Sequence, residues 1–276
     1  MAKKNFYFIA GLQRSGGTLI SAILNQNPDV WAAPTSPLLG MMQTLTETFD
    51  TQQNQDFDRS LDIVNTLKGI PQNFYESRHE TNIIDKNHWW STPDALNVVH
   101  KYIQEDMSQI KVICPVRNIL EILASFNTII EKTPESIGNN NIDKGALRFT
   151  APDLSPADRR AEFLMMPNQD VQTHLFGMRQ ANNPKHRHIF HFVEYDNLVA
   201  DPKTEIDKIY DFLGIEKFEH DFNNLKSQEK PDSSTGMYNL HTVRPSIEKK
   251  SVDPTSVFSP EIIQRYSNME FWRNIK

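Results

Sequence analysis

Cysteine and long hydrophobic runs are both scarce in this 276-residue sequence. The single cysteine, Cys114, excludes an intrachain disulfide, and its neighbours Ile113 and Pro115 predict a buried, unreactive position. The apolar run near the N-terminus, Phe6 to Ala10, is too short for a signal-peptide core or a membrane span. We therefore expect a cytoplasmic protein without a membrane-spanning segment.

Positive charge is also in short supply, with 29 Lys and Arg against 35 Asp and Glu and a net charge of −6. This balance does not suit a general nucleic-acid or anionic-membrane surface, and we expect neither as a partner. A bound anion is compatible with it, because a local nest of backbone N–H groups with a few basic side chains can hold one. No Cys-x-x-Cys or clustered carboxylate pattern indicates a metal site, so we expect no metal.

Short apolar runs alternate with amphipathic segments along the chain. Buried strands are predicted for Phe6–Ala10, Val30–Ala33, Ile83–Ile84, Ile110–Val116 and Ile189–Val193. Strands that alternate with helices predict an α/β fold with a parallel, doubly wound sheet, as one domain over residues 1–276. Residues 130–186 differ, and their prolines and helical spacing predict a loop followed by helices that form a lid or a binding region.

A glycine-rich loop, GLQRSGGT from Gly11 to Thr18, joins the first predicted strand to the first predicted helix. This context suits a phosphate-binding loop, because the free N–H groups and the dipole of the helix favour an anion. The spacing matches the nucleotide-triphosphate loop except that Gly17 stands where that loop requires lysine. Because that lysine is absent, an ATP-dependent enzyme is disfavoured. The alternative to a phosphate-binding loop is a tight strand-to-helix turn that binds no ligand.

The loop resembles the 5′-phosphosulfate loop of the sulfotransferase superfamily, which typically reads P-R-S-G-[TS]-T-L. Here the segment is QRSGGTL, so the family's proline is Gln13 and its middle hydroxyl is Gly17. The resemblance implies a P-loop NTPase-like three-layer fold with a central, mostly parallel sheet flanked by helices. It implies transfer of a sulfuryl group from 3′-phosphoadenosine 5′-phosphosulfate (PAPS) to a hydroxyl or amine acceptor without a metal. It further implies that the residues holding the 5′-phosphosulfate are Arg14, Ser15, Gly16, Gly17 and Thr18.

A second segment, VICPVRNILEILASF, resembles the family's 3′-phosphate site, which is a strand followed by an arginine and, eight residues later, a serine. Arg117 and Ser125 have this spacing. An arginine at a strand end offers a rigid fork of donors to a phosphate, and two helical turns bring Ser125 to the same side. The alternatives are a surface ion pair for Arg117 and a bond from the Ser125 hydroxyl to its own helix.

Two more segments resemble the family. In FVEYDNLVADPKTEIDKIYDFLGI, the resemblance implies that Tyr195 lies near the nucleotide. In HTVRPSIEKK, it implies a basic C-terminal loop that closes the nucleotide site through Arg244 and Ser246, with Lys249 or Lys250 as substitutes. A solvated basic loop is the alternative for the second segment.

The catalytic candidates lie in IIDKNHWW, where Lys86 and His88 are two residues apart at a strand end and can point to one side. Cytosolic sulfotransferases carry a similar K-x-H pair here, which implies that His88 is the general base and that Lys86 stabilises charge in the transition state, together with Arg14. In its spacing from the glycine-rich loop, the chain also resembles the tyrosylprotein and glycan-type branches. The tyrosylprotein branch uses a glutamate after the first helix, but this chain has no carboxylate there and places Thr35 at about that position. The alternatives are a capping or packing role for His88 beside Trp89 and Trp90, and an exposed Lys86 paired with Asp85.

The acceptor is not fixed by the sequence, which leaves a small molecule, a sugar and a peptide open. Several large side chains fall near the expected mouth of the site and form either an acceptor pocket or part of the core: Trp31, Trp89, Trp90, Phe126, Met41 and Met42. A small P-loop kinase is the competing enzyme. A PAPS-binding module without catalysis is the competing non-enzyme.

Overall fold

The computed structural model describes residues 3–49, 60–133, 136–226, 242–249 and 251–275. Its five-stranded sheet has the order β2-β3-β1-β4-β5, and every neighbouring pair is parallel. The strands are β1 (Asn5–Ile9), β2 (Val30–Ala32), β3 (Asn82–Lys86), β4 (Val112–Val116) and β5 (Phe190–Glu194). The predicted strands are all present, and the predicted α/β fold with a central parallel sheet is confirmed.

Helices cover both faces of the sheet. In chain order they are α1 (Gly17–Leu24), α2 (Leu38–Phe49), α3 (Ser60–Phe74), α4 (Pro93–Tyr102), α5 (Ile119–Lys132), α6 (Ile137–Phe149), α7 (Pro156–Leu164), α8 (Asp170–Ala181), α9 (Tyr195–Ala200), α10 (Pro202–Leu213) and α11 (Pro260–Tyr266). Side chains that alternate along the strands fill two cores, with Phe8 and Cys114 on one face and Ile9 and Ile113 on the other. The result is a three-layer arrangement.

The strand order places a topological switch beside the central strand. The chain leaves β1 toward β2 on one side of the sheet, whereas it leaves β4 toward β5 on the other side. The loops that follow two adjacent strands, β1 and β4, therefore diverge and open a crevice at the carboxyl edge. Open parallel sheets bind their ligands at such a crevice, and here it lies between the glycine-rich loop and Arg117.

Residues 130–186 fold largely into helices, and α8 among them packs against the short 3₁₀ turn His88–Ser91. Within the described residues no helix has the length and apolar content needed to cross a bilayer. The single domain over residues 1–276, the cytoplasmic location and the absence of a nucleic-acid partner stay predictions.

Candidate active site

The glycine-rich loop turns directly from β1 into α1. Gly11 has φ +82°, and a Cβ built there would lie 2.5 Å from the carbonyl oxygen of Pro115, so only glycine fits. Gly16, with φ +95°, forms the N-cap of α1. Arg14 also adopts a left-handed conformation, with φ 61°. These turns bring the loop backbone against the end of β4 and leave the N-terminus of α1 facing the crevice.

Ser15 anchors this loop through its side chain. Its hydroxyl is buried, contacts the carbonyl oxygen of Leu12 and lies 2.8 Å from the carbonyl oxygen of Pro115, to which it can donate. The side chain is thus engaged with the backbone of the loop and of β4. The backbone N–H is the group through which Ser15 would contact an anion.

Lys86 ends β3 and reaches into the start of α1. Its Nζ donates to Thr18 Oγ1 at 2.8 Å, and the residue is only 4% exposed. Parallel pairing sets Lys86 opposite Ile9, two residues before the glycine-rich loop begins. The side chain therefore brings a positive charge to the N-terminal end of α1, where the helix dipole also favours an anion.

The alternative pairing of Lys86 with Asp85 is wrong, because successive strand residues face opposite sides of the sheet. The buried Asp85 carboxylate instead accepts from Tyr75 Oη and Trp90 Nε1, both at 2.6 Å. Burial is the main cause that raises the pKa of Asp85, and it likewise raises the pKa of Tyr75. Asp85 and its partners thus hold the end of β3 from the far side.

His88 opens the 3₁₀ turn after β3, with its Nδ1 3.1 Å from the carbonyl oxygen of Gly11. A carbonyl can only accept, so Nδ1 carries the proton and the lone pair of the neutral ring is on Nε2. Nε2 is therefore the atom that can take a proton. The hydrogen bond ties the imidazole to the glycine-rich loop.

A second group of side chains, the Arg117 cluster, consists of Arg14, Arg117, Glu121, Ser125 and Tyr195. Arg14 Nε donates to Ser125 Oγ at 3.2 Å, and Arg117 Nη1 donates to the carbonyl oxygen of Arg14 at 3.4 Å. The Arg117 guanidinium lies 4.3 Å from the ring centroid of Tyr195. The structure thus brings together residues that the sequence analysis drew from three separate segments.

Glu121 is the member of the cluster that sequence reasoning missed. Its Oε2 accepts from Arg117 Nε at 2.8 Å and lies 2.7 Å from Nη2. The signal was available, since an arginine and a glutamate four residues apart commonly pair in the first turns of a helix. Arg117 is only 6% exposed, so this is not the surface ion pair that was the alternative.

The C-terminal loop meets α9 through Lys249, whose Nζ lies 2.9 Å from Asp196 Oδ1, next to Tyr195. The hydrogen bond to Asp196 is the main cause that raises the pKa of Lys249. Arg244 instead pairs with Glu248 inside the loop. Among the described residues, neither Arg244 nor Ser246 has a hydrogen bond or ion pair to the Arg117 cluster, and Lys250 lies outside the described residues.

A cavity of about 260 Å³, the loop-side cavity, opens beside the glycine-rich loop. Polar side chains dominate its wall, among them Gln13, Thr35, Lys86, Asn87 and His88. Trp89 also lines it, whereas the other large side chains proposed for the mouth do not. Trp90, Phe126 and Met42 are buried in the core, and the Trp31 ring packs under the Arg78 guanidinium at 3.5 Å.

His174 and Asp170 complete the wall from α8, inside the segment where the resemblance offered no guide. His174 is 2% exposed, and burial is the main cause that lowers its pKa. The Gln13 side-chain amide nitrogen lies 2.9 Å from His174 Nδ1. The helical spacing of Val171, Leu175 and Met178 indicated a core-facing side of this helix but not what the helix packs against.

Within the described parts of the chain, no group of three or more His, Cys, Asp and Glu side chains is arranged to hold a metal ion. The cations at the site are supplied by Lys86, Arg14 and Arg117. They lie beside the N-terminus of α1, an arrangement suited to a ligand with several negative oxygens.

Comparison with solved structures shows the fold class. The chain is similar to a sulfotransferase from Alicyclobacillus acidocaldarius, with 15% identity, a TM-score of 0.50 and coverage of 84% of this chain and 88% of that one. It is also similar to the sulfotransferase domain of the Synechococcus PCC 7002 olefin synthase (18% identity, 100% and 90% coverage, TM-score 0.47). A sulfotransferase domain from the curacin biosynthetic pathway gives 15% identity, 98% and 92% coverage and a TM-score of 0.49.

The family follows from the sequence itself. The model of the sulfotransferase family matches residues 7–220, which include the second half of β1, all of β2 to β5, the glycine-rich loop and the Arg117 cluster. The chain belongs to this family and is a sulfotransferase. A search of curated proteins finds no match. The resemblance stated from the motifs is thereby confirmed, and the kinase alternative is not supported.

Proposed function

We propose that this sulfotransferase moves a sulfuryl group from PAPS to a hydroxyl or amine acceptor held in the loop-side cavity, with His88 as the general base. One observation carries the proposal: a base and a cation converge on the same phosphate-type loop. His88 contacts the start of the loop through Gly11, and Lys86 contacts its end through Thr18. Both residues also line the cavity in which an acceptor would lie.

Donor recognition divides between the two sides of the crevice. The N–H groups at the start of α1, together with Lys86 and Thr18, suit the 5′-phosphosulfate, because they combine a helix N-terminus with a buried cation. The Arg117 cluster suits the 3′-phosphate, since it offers the guanidinium of Arg117, that of Arg14 and the Ser125 hydroxyl. The Tyr195 ring lies against the Arg117 guanidinium, 4.3 Å from it to the ring centroid.

The donor supplies an S–O bond, and cleavage of that bond releases 3′-phosphoadenosine 5′-phosphate. The acceptor oxygen or nitrogen forms a new bond to sulfur, and its proton passes to Nε2 of His88. The Gly11 carbonyl stabilises the resulting imidazolium through Nδ1–H. Lys86 and the N-terminus of α1 neutralise the charge that develops on the leaving oxygen.

Replacing His88 tests the base. In His88→Ala, we expect turnover, measured as release of 3′-phosphoadenosine 5′-phosphate in EDTA, to fall by about 10²-fold or more, because a general base contributes on that order. Calorimetric affinity for the nucleotide should change by less than about twofold, since His88 lies on the acceptor side.

The matched control is His100→Ala, which removes an exposed histidine on α4 and should leave turnover unchanged. Full activity in His88→Ala would remove His88 as the base. Nucleotide binding with no turnover in the wild type, across hydroxyl and amine acceptors, would favour a binding module.

A further inference from the structure

The loop-side cavity has a wall unsuited to an apolar acceptor. Seven of its eight lining residues carry polar side chains, and Trp89 is the exception. Pockets for apolar ligands are lined mainly by hydrophobic and aromatic side chains. The volume of about 260 Å³ lies below the range of roughly 300–1,000 Å³ that is usual for drug-sized ligands. Both features point to a small, polar acceptor.

Two polar atoms of this wall lack partners. Gln13 Oε1 and His174 Nε2 are both buried, and neither has a hydrogen-bond partner among the described residues. Native proteins rarely leave buried polar atoms unpaired, because desolvation is then uncompensated. Two such atoms on touching residues at one cavity indicate that a ligand supplies the missing hydrogen bonds.

The protonation of His174 defines what that ligand must offer. Its Nδ1 contacts the backbone carbonyl oxygen of Asp170, one helical turn earlier, so Nδ1 carries the proton. Burial lowers the pKa of His174 and keeps the ring neutral at neutral pH. The lone pair is therefore on Nε2, which calls for a hydrogen-bond donor.

His174 is also next to the proposed base. The centroids of the His88 and His174 rings are 5.5 Å apart in an edge-on arrangement, and the Trp89 ring lies 4.5 Å from His174. Trp89 is 42% exposed, so its ring can shift to admit a ligand, and its face suits the C–H face of a saturated ring. The structure thus brings two imidazole rings together at this wall, with an aromatic ring against that of His174.

We propose that His174 is a specificity-determining residue and that the acceptor is a small polyhydroxylated molecule. One hydroxyl loses its proton to His88, while a neighbouring hydroxyl donates to Nε2 of His174. Gln13, in the position of the family's proline, lies beside the imidazole and pairs through Oε1 with a further polar group of the acceptor. This assignment rests on the proposed function of the cavity as the acceptor site.

The test compares trans-1,2-cyclohexanediol, cyclohexanol and cyclohexylamine as ligands in NMR titrations, with and without 3′-phosphoadenosine 5′-phosphate. The wild type should bind the diol about fivefold to tenfold more tightly than cyclohexanol, as expected when a neutral donor satisfies a buried acceptor. The ratio should fall to about one in His174→Phe. It should persist in His174→Gln, whose amide oxygen still accepts.

His191→Phe is the matched control, because His191 is a partly buried histidine whose Nε2 also has no hydrogen-bond partner among the described residues, and it lies on β5 outside the cavity. It should leave the ratio unchanged. Equal or no binding of the two alcohols by the wild type, or an unchanged ratio in His174→Phe, would overturn the proposal. Tightest binding of cyclohexylamine would also overturn it and indicate an amine acceptor.

The two proposals fail separately. If the nucleotide does not bind, the PAPS donor assignment fails, whereas the alcohol ratio without nucleotide still tests His174. If the nucleotide binds and turnover occurs with cyclohexanol as readily as with the diol, the donor assignment stands and the role of His174 is wrong.

Discussion

Among the individual side chains, Arg117 is notable for carrying its own counter-charge. Glu121 accepts from two of its nitrogens, and Tyr195 stacks beneath the guanidinium, so the group is oriented before any phosphate arrives. Preorientation lowers the conformational entropy lost on binding. Arg117 Nη1 donates to the carbonyl oxygen of Arg14 and so links the Arg117 cluster to the glycine-rich loop.

The role of Arg117 is tested by removing it. In Arg117→Ala, affinity for 3′-phosphoadenosine 5′-phosphate should fall by about tenfold or more, because a charged hydrogen bond to a phosphate is worth roughly 1.5–3 kcal/mol. Affinity for ADP, which lacks the 3′-phosphate, should change by less than about twofold. Both are measured by calorimetry.

The control for this substitution is Arg265→Ala, which breaks an exposed ion pair with Glu162 away from the crevice. Both affinities should then match those of the wild type. Equal losses for the two nucleotides in Arg117→Ala would take Arg117 out of the 3′-phosphate site.

The glycine-rich loop shows how differently two glycines of one element are constrained. At Gly11 both the positive φ and the backbone of β4 exclude a side chain. At Gly17 a Cβ would meet Lys86 Cε at 3.4 Å and Pro115 Cγ at 3.6 Å, which are ordinary contacts. Gly17 is also the first residue of α1 and has no positive φ. The family's hydroxyl is therefore missing at a position that has room for it.

Two substitutions separate these cases. Gly11→Ala should lower the free energy of unfolding by roughly 3 kcal/mol or more, because backbone strain and overlap with Pro115 add. Gly17→Ser should change it by less than about 1 kcal/mol. Urea unfolding measures both, and a similar loss in the two variants would contradict the role assigned to the Gly11 turn.

Much of the molecule's architecture could be predicted from the sequence. Continuous apolar runs indicate strands buried on both faces, and the spacing of Ile206, Ile209 and Leu213 indicates the helix that became α10. The order of the strands could not be predicted from these patterns, because it depends on which face of the sheet each helix covers. It is the strand order that brings the loop at residues 11–18 beside Arg117.

The candidate site divides in the same way. Lys86 and His88 could be found because they are close in the sequence and follow a strand. His174 and Gln13 could not, since 161 positions separate them and only the packing of α8 joins them. Aromatic content alone also could not separate core residues from cavity residues. Trp89 and Trp90 are adjacent in the sequence, yet Trp90 is buried in the core and Trp89 lines the cavity.

In the proposed function, the crevice at the carboxyl edge of the sheet recognises a 3′-phosphorylated adenine nucleotide. Calorimetric titration with 3′-phosphoadenosine 5′-phosphate, with ADP and with ATP plus magnesium as controls, tests it most directly. We expect tight binding of the 3′-phosphorylated nucleotide and weak binding of both controls, because only the first carries the 3′-phosphate that the Arg117 cluster would bind. Preference for ATP with magnesium would remove PAPS as the donor.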